Sequence, residues 1–317
     1  MKQRVLKSLG VTVPQIALGT VELGLPYGLG VVETKPTYEQ AERLVHAALD
    51  KGIRFIDTAR AYGDSEEILG RCLAGHRSEL ILTTKVGPLP LAGRSDADLA
   101  AAVFASVEES LQALRTDHVD WLMLHSATLA HIEQFDRFVG PFESLRQQGK
   151  IRAFGASIYD DSLHASLGRP GLACLQVAAS AMDRRVENAL AQGAPTGQDF
   201  VIRSVLLRGA LSERYRALPP SMQPLRDAIE PLARLAANAG ISLTELAYRY
   251  AAEFDGLMLI GTASVSELEQ AINFVERGPL SAEITTAIHS LGLLDDCFLS
   301  PAKWPEFEAP IVGATPS

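Results

Sequence analysis

Cysteine is scarce in this sequence, with three residues in a chain of 317. Cys72, Cys174 and Cys297 are odd in number and far apart, which argues against a disulfide framework and against a zinc site. We interpret them as free thiols packed in the interior of a protein from a reducing cytoplasm. A catalytic thiol is the alternative, although no cysteine is evidently paired with a histidine. We expect a cytoplasmic protein without a metal.

Long apolar runs and an excess of positive charge are also missing. No stretch reaches the roughly eighteen apolar residues of a membrane span, and residues 1–10 lack the apolar centre of a signal peptide. The 29 basic residues are outnumbered by 38 acidic ones, for a formal charge of −9. These absences predict that the protein binds neither a membrane nor nucleic acid.

The chain contains eight short apolar segments that alternate with amphipathic helical patterns. Wholly apolar segments of this length are typical of parallel, buried strands. We predict strands over residues 16–19, 54–57, 80–85, 119–125, 153–156, 174–177, 200–203 and 257–260. Eight such units favour a closed (β/α)₈ TIM barrel formed by one domain, residues 1–317, with a short N-terminal hairpin over residues 5–13 and extra helices. A doubly wound sheet is the alternative, but no glycine fingerprint follows the first strand.

Three successive strands end in polar side chains. Asp57, Lys85 and His125 close the second, third and fourth strands, and Tyr62 lies in the loop after Asp57. The carboxyl ends of parallel strands meet at one face of a barrel, so we expect these side chains to lie together. A cation near a phenol lowers its pKa and prepares it for proton transfer. The alternative is a structural ion pair, a loop aromatic and a core histidine.

These residues resemble the catalytic tetrad of the aldo-keto reductases. The resemblance runs from about residue 16 to about residue 275 and includes Asp-Thr-Ala-x-x-Tyr-Gly, the lysine at a strand end and Leu-His. Residues 18–28 are similar to Leu-Gly-Thr-Val-x-x-Gly-Leu-Pro-Tyr-Gly of bacterial members. The resemblance implies that Tyr62 is the general acid, that Lys85 lowers its pKa, that Asp57 neutralises Lys85 and that His125 orients a carbonyl oxygen.

The resemblance also implies a nicotinamide cofactor. Ser157 and Gln176 match the residues that bind the carboxamide, although Ile158 stands where the family usually has asparagine. The segment after the seventh strand matches the part of the family that lies under the nicotinamide ring and the pyrophosphate, and it supplies Arg203, Ser204, Leu206, Arg208 and Gly209. Arg203 stands where a tyrosine normally stacks, and a guanidinium can also stack on an aromatic plane.

The loop after the eighth strand matches the region of the family that binds the adenosine phosphate. Its candidate residues are Gly261, Ser264 and Glu267. The lysine and arginine expected to bind a 2′-phosphate are absent, and Glu267 is suited to accept a hydrogen bond from a ribose hydroxyl or to complete a helix cap with Ser264. The resemblance slightly favours NADPH, whereas Glu267 favours NADH.

The substrate is expected to be a small aldehyde, ketone or sugar. Glu22 and Tyr27 are predicted to face the mouth, and the tail over residues 295–307 is predicted to cover it through Trp304 and Phe307. We expect a monomer or weak homo-oligomer. The alternatives are an NAD-dependent sugar dehydrogenase, a nucleotide-binding sensor subunit with little turnover, and a lyase or isomerase with a Schiff base on Lys85.

Overall fold

Eight parallel strands form a closed barrel in the computed structural model, which describes residues 1–29, 34–87, 89–292 and 294–304. The hairpin strands are β1 Gln3–Leu6 and β2 Val11–Pro14. The barrel strands are β3 Ile16–Gly19, β4 Phe55–Asp57, β5 Ile81–Val86, β6 Val119–Ala127, β7 Ile151–Ile158, β8 Cys174–Ala178, β9 Asp199–Arg203 and β10 Leu257–Gly261. Neighbouring strands pair in chain order, and β10 pairs with both β9 and β3 to close the ring. The predicted barrel and hairpin are confirmed.

Helices surround the barrel. They are α1 Val21–Gly24, α2 Tyr38–Asp50, α3 Ser65–Cys72, α4 Asp96–Leu114, α5 Leu129–Glu133, α6 Asp136–Gln147, α7 Leu163–Ser166, α8 Arg185–Ala191, α9 Gln223–Asn238, α10 Leu243–Ala251, α11 Val265–Glu276, α12 Ala282–Ser290 and α13 Asp296–Leu299. Short 3₁₀ turns lie at Arg77–Glu79, Asp160–Ser162, Leu207–Gly209, Glu213–Ala217, Pro220–Met222 and Pro301–Lys303. Thr37 and Gln40 form a capping box at the start of α2. Within the described ranges, none of these helices combines the length and apolarity that crossing a membrane requires.

The N-terminal hairpin covers the amino end of the barrel. The carboxylate of Asp199 accepts the backbone N–H groups of Lys7 and Ser8, each at 2.8 Å. The indole N–H of Trp121 donates to Ser8 Oγ at 3.0 Å, and the Trp121 ring packs edge-on against Phe55 with 5.2 Å between centroids. These contacts leave the carboxyl ends of the strands as the open end.

Strand β6 continues past the predicted end at His125. It runs to Ala127, and its pairing with β7 changes register between Leu124 and Ala127. Ser126 has a φ of 52°, a left-handed conformation that is uncommon for residues other than glycine. Irregularities of this kind redirect side chains at barrel rims, and here the irregularity flanks His125.

The C-terminal segment only partly follows its predicted place. Pro301 contributes to the wall of the open cavity. Trp304, in contrast, is 4% exposed and packs in a second core between the outer helices, with its indole N–H donating to the Phe298 carbonyl at 3.1 Å. Burial of this large aromatic surface outweighs any gain from covering a polar mouth. Phe307 lies outside the described residues.

Candidate active site

A cavity of about 670 Å³ opens at the carboxyl ends of the strands. This volume is within the range of small-molecule sites. Its wall contains thirteen of the fourteen residues selected from the sequence: Asp57, Tyr62, His125, Ser157, Gln176, Arg203, Ser204, Leu206, Arg208, Gly209, Gly261, Ser264 and Glu267. The fourteenth, Lys85, lies directly behind the wall and is completely buried. The barrel therefore brings the whole selected set to one place.

Lys85 connects Asp57 to Tyr62. Its Nζ lies 2.7 Å from Asp57 Oδ2, 2.9 Å from the carbonyl oxygen of Thr58 and 3.4 Å from the Tyr62 hydroxyl. Lys85 is 0% exposed and Asp57 is 2% exposed. A buried ammonium group is costly unless it is paired and hydrogen-bonded, and both conditions are met here.

Two glycines fix the loop that carries Tyr62. A Cβ on Gly24 would lie 1.8 Å from the carbonyl oxygen of Tyr62, and a Cβ on Gly63 would lie 2.4 Å from the carbonyl oxygen of Gly24. Gly63 also has a φ of 57°. The loop thus packs backbone against backbone on α1, which only glycine permits. Ser65, at the start of α3, donates to Thr20 and holds the two segments together.

The protonation of Tyr62 and Lys85 follows from burial and from each other. Burial raises the pKa of Tyr62 above its ordinary value, and the nearby Lys85 only partly offsets that effect. Burial lowers the pKa of Lys85, but Asp57 and Tyr62 outweigh it, so the net shift is upward. At neutral pH the pair therefore consists of a protonated phenol beside an ammonium ion. The lysine does lower the pKa of the phenol, as expected, but burial has the larger effect.

His125 lies beside Tyr62 as a neutral imidazole. The two rings meet edge to face, with 5.4 Å between centroids. Burial, Lys85 and Arg203 together lower the pKa of His125 to about 3. Its Nδ1 is buried without a hydrogen-bond partner among the described residues. A neutral imidazole offers one N–H and one lone pair, so His125 is equipped to hydrogen-bond a ligand.

Ser157 and Gln176 join the same network. Ser157 Oγ donates to Gln176 Oε1 at 3.0 Å, and Gln176 Nε2 donates to Asp57 Oδ1 at 2.8 Å. Asp57 thus accepts from both Lys85 and Gln176. Ile158, which replaces the usual asparagine, is 2% exposed and packs in the core, as expected.

Arg203 has partners of its own. Its guanidinium lies 4.8 Å from the centre of the Tyr159 ring and donates to the carbonyl oxygen of Ile158 at 2.9 Å. The following segment is strained: Ser204, Leu207 and Arg208 have φ values of 61°, 45° and 57°. Strained backbone often marks functional sites. Arg208 stacks over Tyr27 with 5.0 Å from its guanidinium carbon to the ring centre, which joins this segment to the loop after β3.

The loop after β10 departs from the predicted capping box. Ser264 Oγ accepts the backbone N–H of Glu267 at 3.4 Å, so Ser264 does cap α11. The Glu267 carboxylate does not return to the backbone of Ser264. It accepts from Thr262 Oγ1 at 2.6 Å and lies 3.7 Å from Arg214 Nη2. The side-chain hydroxyl thus replaces the backbone donor of the capping box.

Several polar residues of the cavity wall were absent from the predicted set, and three of them bear on its chemistry. They are Tyr159, Arg214 and Tyr248. Tyr159 follows Ile158 directly at the end of β7. As an aromatic residue at a strand end, it was a possible stacking partner for Arg203. Burial raises the pKa of Tyr248, which keeps its phenol protonated. No sequence pattern identifies Arg214 or Tyr248, because both approach the cavity through the packing of outer segments.

Comparison with known proteins agrees with this geometry. The model of the aldo/keto reductase family matches residues 15–292, and the chain belongs to that family. It is 26% identical over 291 residues to the uncharacterized oxidoreductase YqkF of Bacillus subtilis (strain 168), covering 86% of this chain and 94% of YqkF. It is 29% identical to the aldo-keto reductase YhdN of the same organism, covering 98% of each chain. The holo form of aldo-keto reductase AKR11C1 from Bacillus halodurans superimposes with a TM-score of 0.73 at 28% identity, covering 94% of this chain and 99% of that one.

Proposed function

We propose that this protein transfers a hydride between a nicotinamide dinucleotide and the carbonyl carbon of a small aldehyde, ketone or sugar, with Tyr62 as the proton donor. The observation that carries the proposal is the position of Lys85 Nζ, which lies between Asp57 and the Tyr62 hydroxyl directly behind the cavity wall. Hydride transfer to a carbonyl carbon leaves negative charge on its oxygen, and a proton donor must neutralise it.

Tyr62 is suited to give that proton. Its raised pKa keeps the phenol protonated at neutral pH, and Lys85 at 3.4 Å stabilises the phenolate that remains after transfer. Asp57 balances the charge of Lys85, so the ammonium group stays in place. The raised pKa of Lys85 also argues against a Schiff base, which requires a neutral amine. In alcohol oxidation the same phenolate accepts the proton.

His125 supports the reaction without changing its charge. With its pKa lowered to about 3, the imidazole is neutral throughout the neutral range. It would donate one hydrogen bond to the carbonyl oxygen and so hold the carbonyl beside Tyr62. This role requires a precise position, which the edge-to-face contact with the Tyr62 ring supplies.

The wall of the cavity carries groups that suit a nicotinamide dinucleotide, the group that supplies or accepts the hydride when bound. Ser157 and Gln176 would bind the carboxamide, because the Gln176 amide has a second N–H beyond the one given to Asp57. Arg203, Ser204 and Leu206 would lie under the ring, and Arg208 and Gly209 would approach the pyrophosphate. Gly261, Ser264 and Glu267 would surround the adenosine ribose. Either NADH or NADPH fits this proposal.

A hydroxylated aldehyde or sugar is the proposed substrate class. The cavity wall near Tyr62 offers Ser126, Tyr159 and Arg203, which are donors and acceptors more than apolar surface. A polar wall of this kind discriminates best among substrates with several hydroxyl groups. We propose further that the enzyme acts in the cytoplasm as a monomer or weak homo-oligomer, with no macromolecular ligand.

Binding and turnover test this proposal together. The protein is titrated with NADH and NADPH by fluorescence, and the dinucleotide that binds is used in a screen of small aldehydes and free sugars. Tyr62→Phe is expected to reduce turnover by roughly 100-fold or more while dinucleotide affinity stays within about threefold. Tyr38→Phe, on α2 and hydrogen-bonded to Glu42, is the matched control.

Two results would contradict the proposal. Retained turnover in Tyr62→Phe would show that Tyr62 is not the proton donor. Tight dinucleotide binding by the wild-type protein without turnover of any aldehyde or sugar would favour a sensor subunit instead.

A further inference from the structure

Glu22, on α1 directly after β3, reaches to the loop after β10. Its Oε1 lies 3.6 Å from the position a Cβ would take on Gly261, and it lines the cavity together with Ala263, Ser264 and Glu267. This loop leads into α11, which begins at Val265. N–H groups at the start of a helix are natural partners for an anion. Here a carboxylate of the protein itself lies beside the loop that leads into the helix.

The other polar groups of this loop are also engaged within the chain. Ser264 N donates to Thr262 Oγ1 at 3.0 Å, and Thr262 Oγ1 donates to Glu267 Oε2 at 2.6 Å. Ser264 Oγ accepts from Glu267 N at 3.4 Å and contacts Ser266 Oγ at 2.9 Å. A phosphate group entering this loop would therefore have to displace existing hydrogen bonds.

The charges around the loop oppose a phosphate as well. Two carboxylates, Glu22 and Glu267, face it, whereas Arg214 is the cation that the structure places against them. Arg214 Nη2 lies 3.7 Å from Glu267 Oε1, so its charge is already matched by an acid. Glu267 raises the pKa of Glu22 and Arg214 lowers it. Burial raises the pKa of Tyr248, and the two carboxylates raise it further. The local balance is two acids against one base.

We propose that Glu22 and Glu267 form an acidic pair that selects a nicotinamide dinucleotide with free ribose hydroxyls, NAD(H), over its 2′-phosphorylated form. The proposal rests on the proposed function, which places the adenosine ribose at this loop. Carboxylates accept hydrogen bonds from ribose hydroxyls and repel a phosphate. Glu267 provides the exposed acceptor, and Glu22 adds a second carboxylate to the wall that a phosphate would face.

The protonation of Glu22 agrees with this role. Burial and the neighbouring Glu267 raise the pKa of Glu22 to about 7, while Arg214 and the Ala263 backbone lower it less. A carboxyl group that is partly protonated at neutral pH can both donate to and accept from a hydroxyl. A phosphate group placed beside Glu22 would raise the pKa of this carboxyl group further and so favour its protonated form.

Equilibrium titration of both dinucleotides tests the selection without any turnover. The wild-type protein is expected to bind NADH at least roughly tenfold more tightly than NADPH, since close like charges oppose the phosphate. Glu267→Gln should improve NADPH binding by about tenfold, because it also releases Arg214 for the phosphate. Glu22→Gln should improve NADPH binding by about threefold, and Arg214→Ala added to Glu267→Gln should cancel the gain.

Control variants distinguish a change in dinucleotide selection from a change in folding. Glu269→Gln lies on the same helix but pairs with Lys51 on the outside, so its NADH-to-NADPH ratio should equal that of the wild type. Melting temperatures of all variants should agree within about 3 °C. Tighter NADPH binding by the wild type, or an unchanged ratio in both Glu22→Gln and Glu267→Gln, would overturn the selection while leaving the proposed function standing. Failure of the wild type to bind either dinucleotide would overturn the proposed function as well.

Discussion

The cavity has two ends with opposite electrostatic character. Near Tyr62 the neighbouring cations are Lys85 and Arg203, and they join burial in lowering the pKa of His125 to about 3. At the loop after β10, burial and Glu267 raise the pKa of Glu22 to about 7. Burial disfavours charge at both ends, and the sign of the neighbours adds to it each time. The cavity is therefore polarised, with cations beside the proposed reacting oxygen and acids beside the proposed ribose.

The two ends also differ in how firmly their charges are held. The Lys85–Asp57 pair is 2.7 Å long, with side chains 0% and 3% exposed. The Arg214–Glu267 pair is 3.7 Å long, with side chains 60% and 55% exposed. Solvent screens the second pair and leaves it weak, whereas the first is locked by its surroundings. We conclude that the Tyr62 end is preorganised for chemistry and that the loop end can adjust to a ligand.

Lys85→Met should have the largest effect, because it removes the firmly held charge pair at the Tyr62 end of the cavity. It leaves Asp57 buried without its cation, which should lower the free energy of unfolding by about 3–5 kcal/mol. It should also reduce turnover by roughly 100-fold and move the alkaline limb of the pH–rate profile to higher pH, since Lys85 lowers the pKa of Tyr62. Chemical denaturation and pH–rate profiles measure these effects.

Lys51→Met is the control for that variant. Lys51 forms an exposed pair with Glu269, so its loss should change stability by less than about 1 kcal/mol. A Lys85→Met profile with an unshifted alkaline limb would contradict the electrostatic role of the lysine.

Glu22→Gln should change the pH dependence of the free energy of unfolding, which tests the charge at the loop after β10. The folded protein holds a proton on Glu22 up to about pH 7, whereas the unfolded chain releases it near the ordinary value of 4.5. Each rise in pH within that window therefore lowers the free energy of unfolding of the wild type. Glu22→Gln removes this loss, so its stability relative to the wild type should rise from pH 4.5 to 7 by on the order of 1 kcal/mol. Denaturation at several pH values measures it, and a constant difference would show that Glu22 is not perturbed.

His125→Gln should give an effect of similar size and opposite pH dependence at the other end of the cavity. The unfolded chain protonates this histidine below its ordinary value of 6.5, whereas the folded protein resists protonation down to about pH 3. The wild type therefore loses stability as the pH falls through this window, and the variant should lose about 1 kcal/mol less. The measurement is the same series of denaturation curves, carried out from pH 6.5 to pH 4. Equal losses in both proteins would contradict the neutral imidazole.

The clustering of the four candidate catalytic residues was predictable from the sequence because all but Tyr62 lie at or near the carboxyl end of an apolar strand. Any closed parallel barrel brings those ends together, so the spacing along the chain did not matter for Asp57, Lys85 and His125. Tyr62 follows from the short loop between Asp57 and α3. The helix starts at Thr37 and Ser242 are equally local, since a cap depends on residues three positions apart.

Contacts between distant segments were not predictable in the same way. Glu22 approaches Gly261 only because β3 and β10 become neighbours when the barrel closes, and no local sequence pattern predicts the direction of that side chain. Arg203 was expected under a cofactor ring, and its stacking on Tyr159 depends on the packing of two loops. Trp304 was expected over the mouth, but the core between the outer helices offered more apolar contact. The packing of segments that are distant in the sequence determined the positions of all three side chains.

Tracing the hydride tests the central claim most directly. The protein is incubated with the dinucleotide that it binds, carrying deuterium at both C4 positions of the reduced nicotinamide, and with a small aldehyde or sugar that the screen identifies. Mass spectrometry then locates the label in the product. The account predicts one deuterium on the former carbonyl carbon, formed at the rate of cofactor oxidation and lost in Tyr62→Phe. An alcohol product without deuterium, or labelled product formed equally well by Tyr62→Phe, would contradict it.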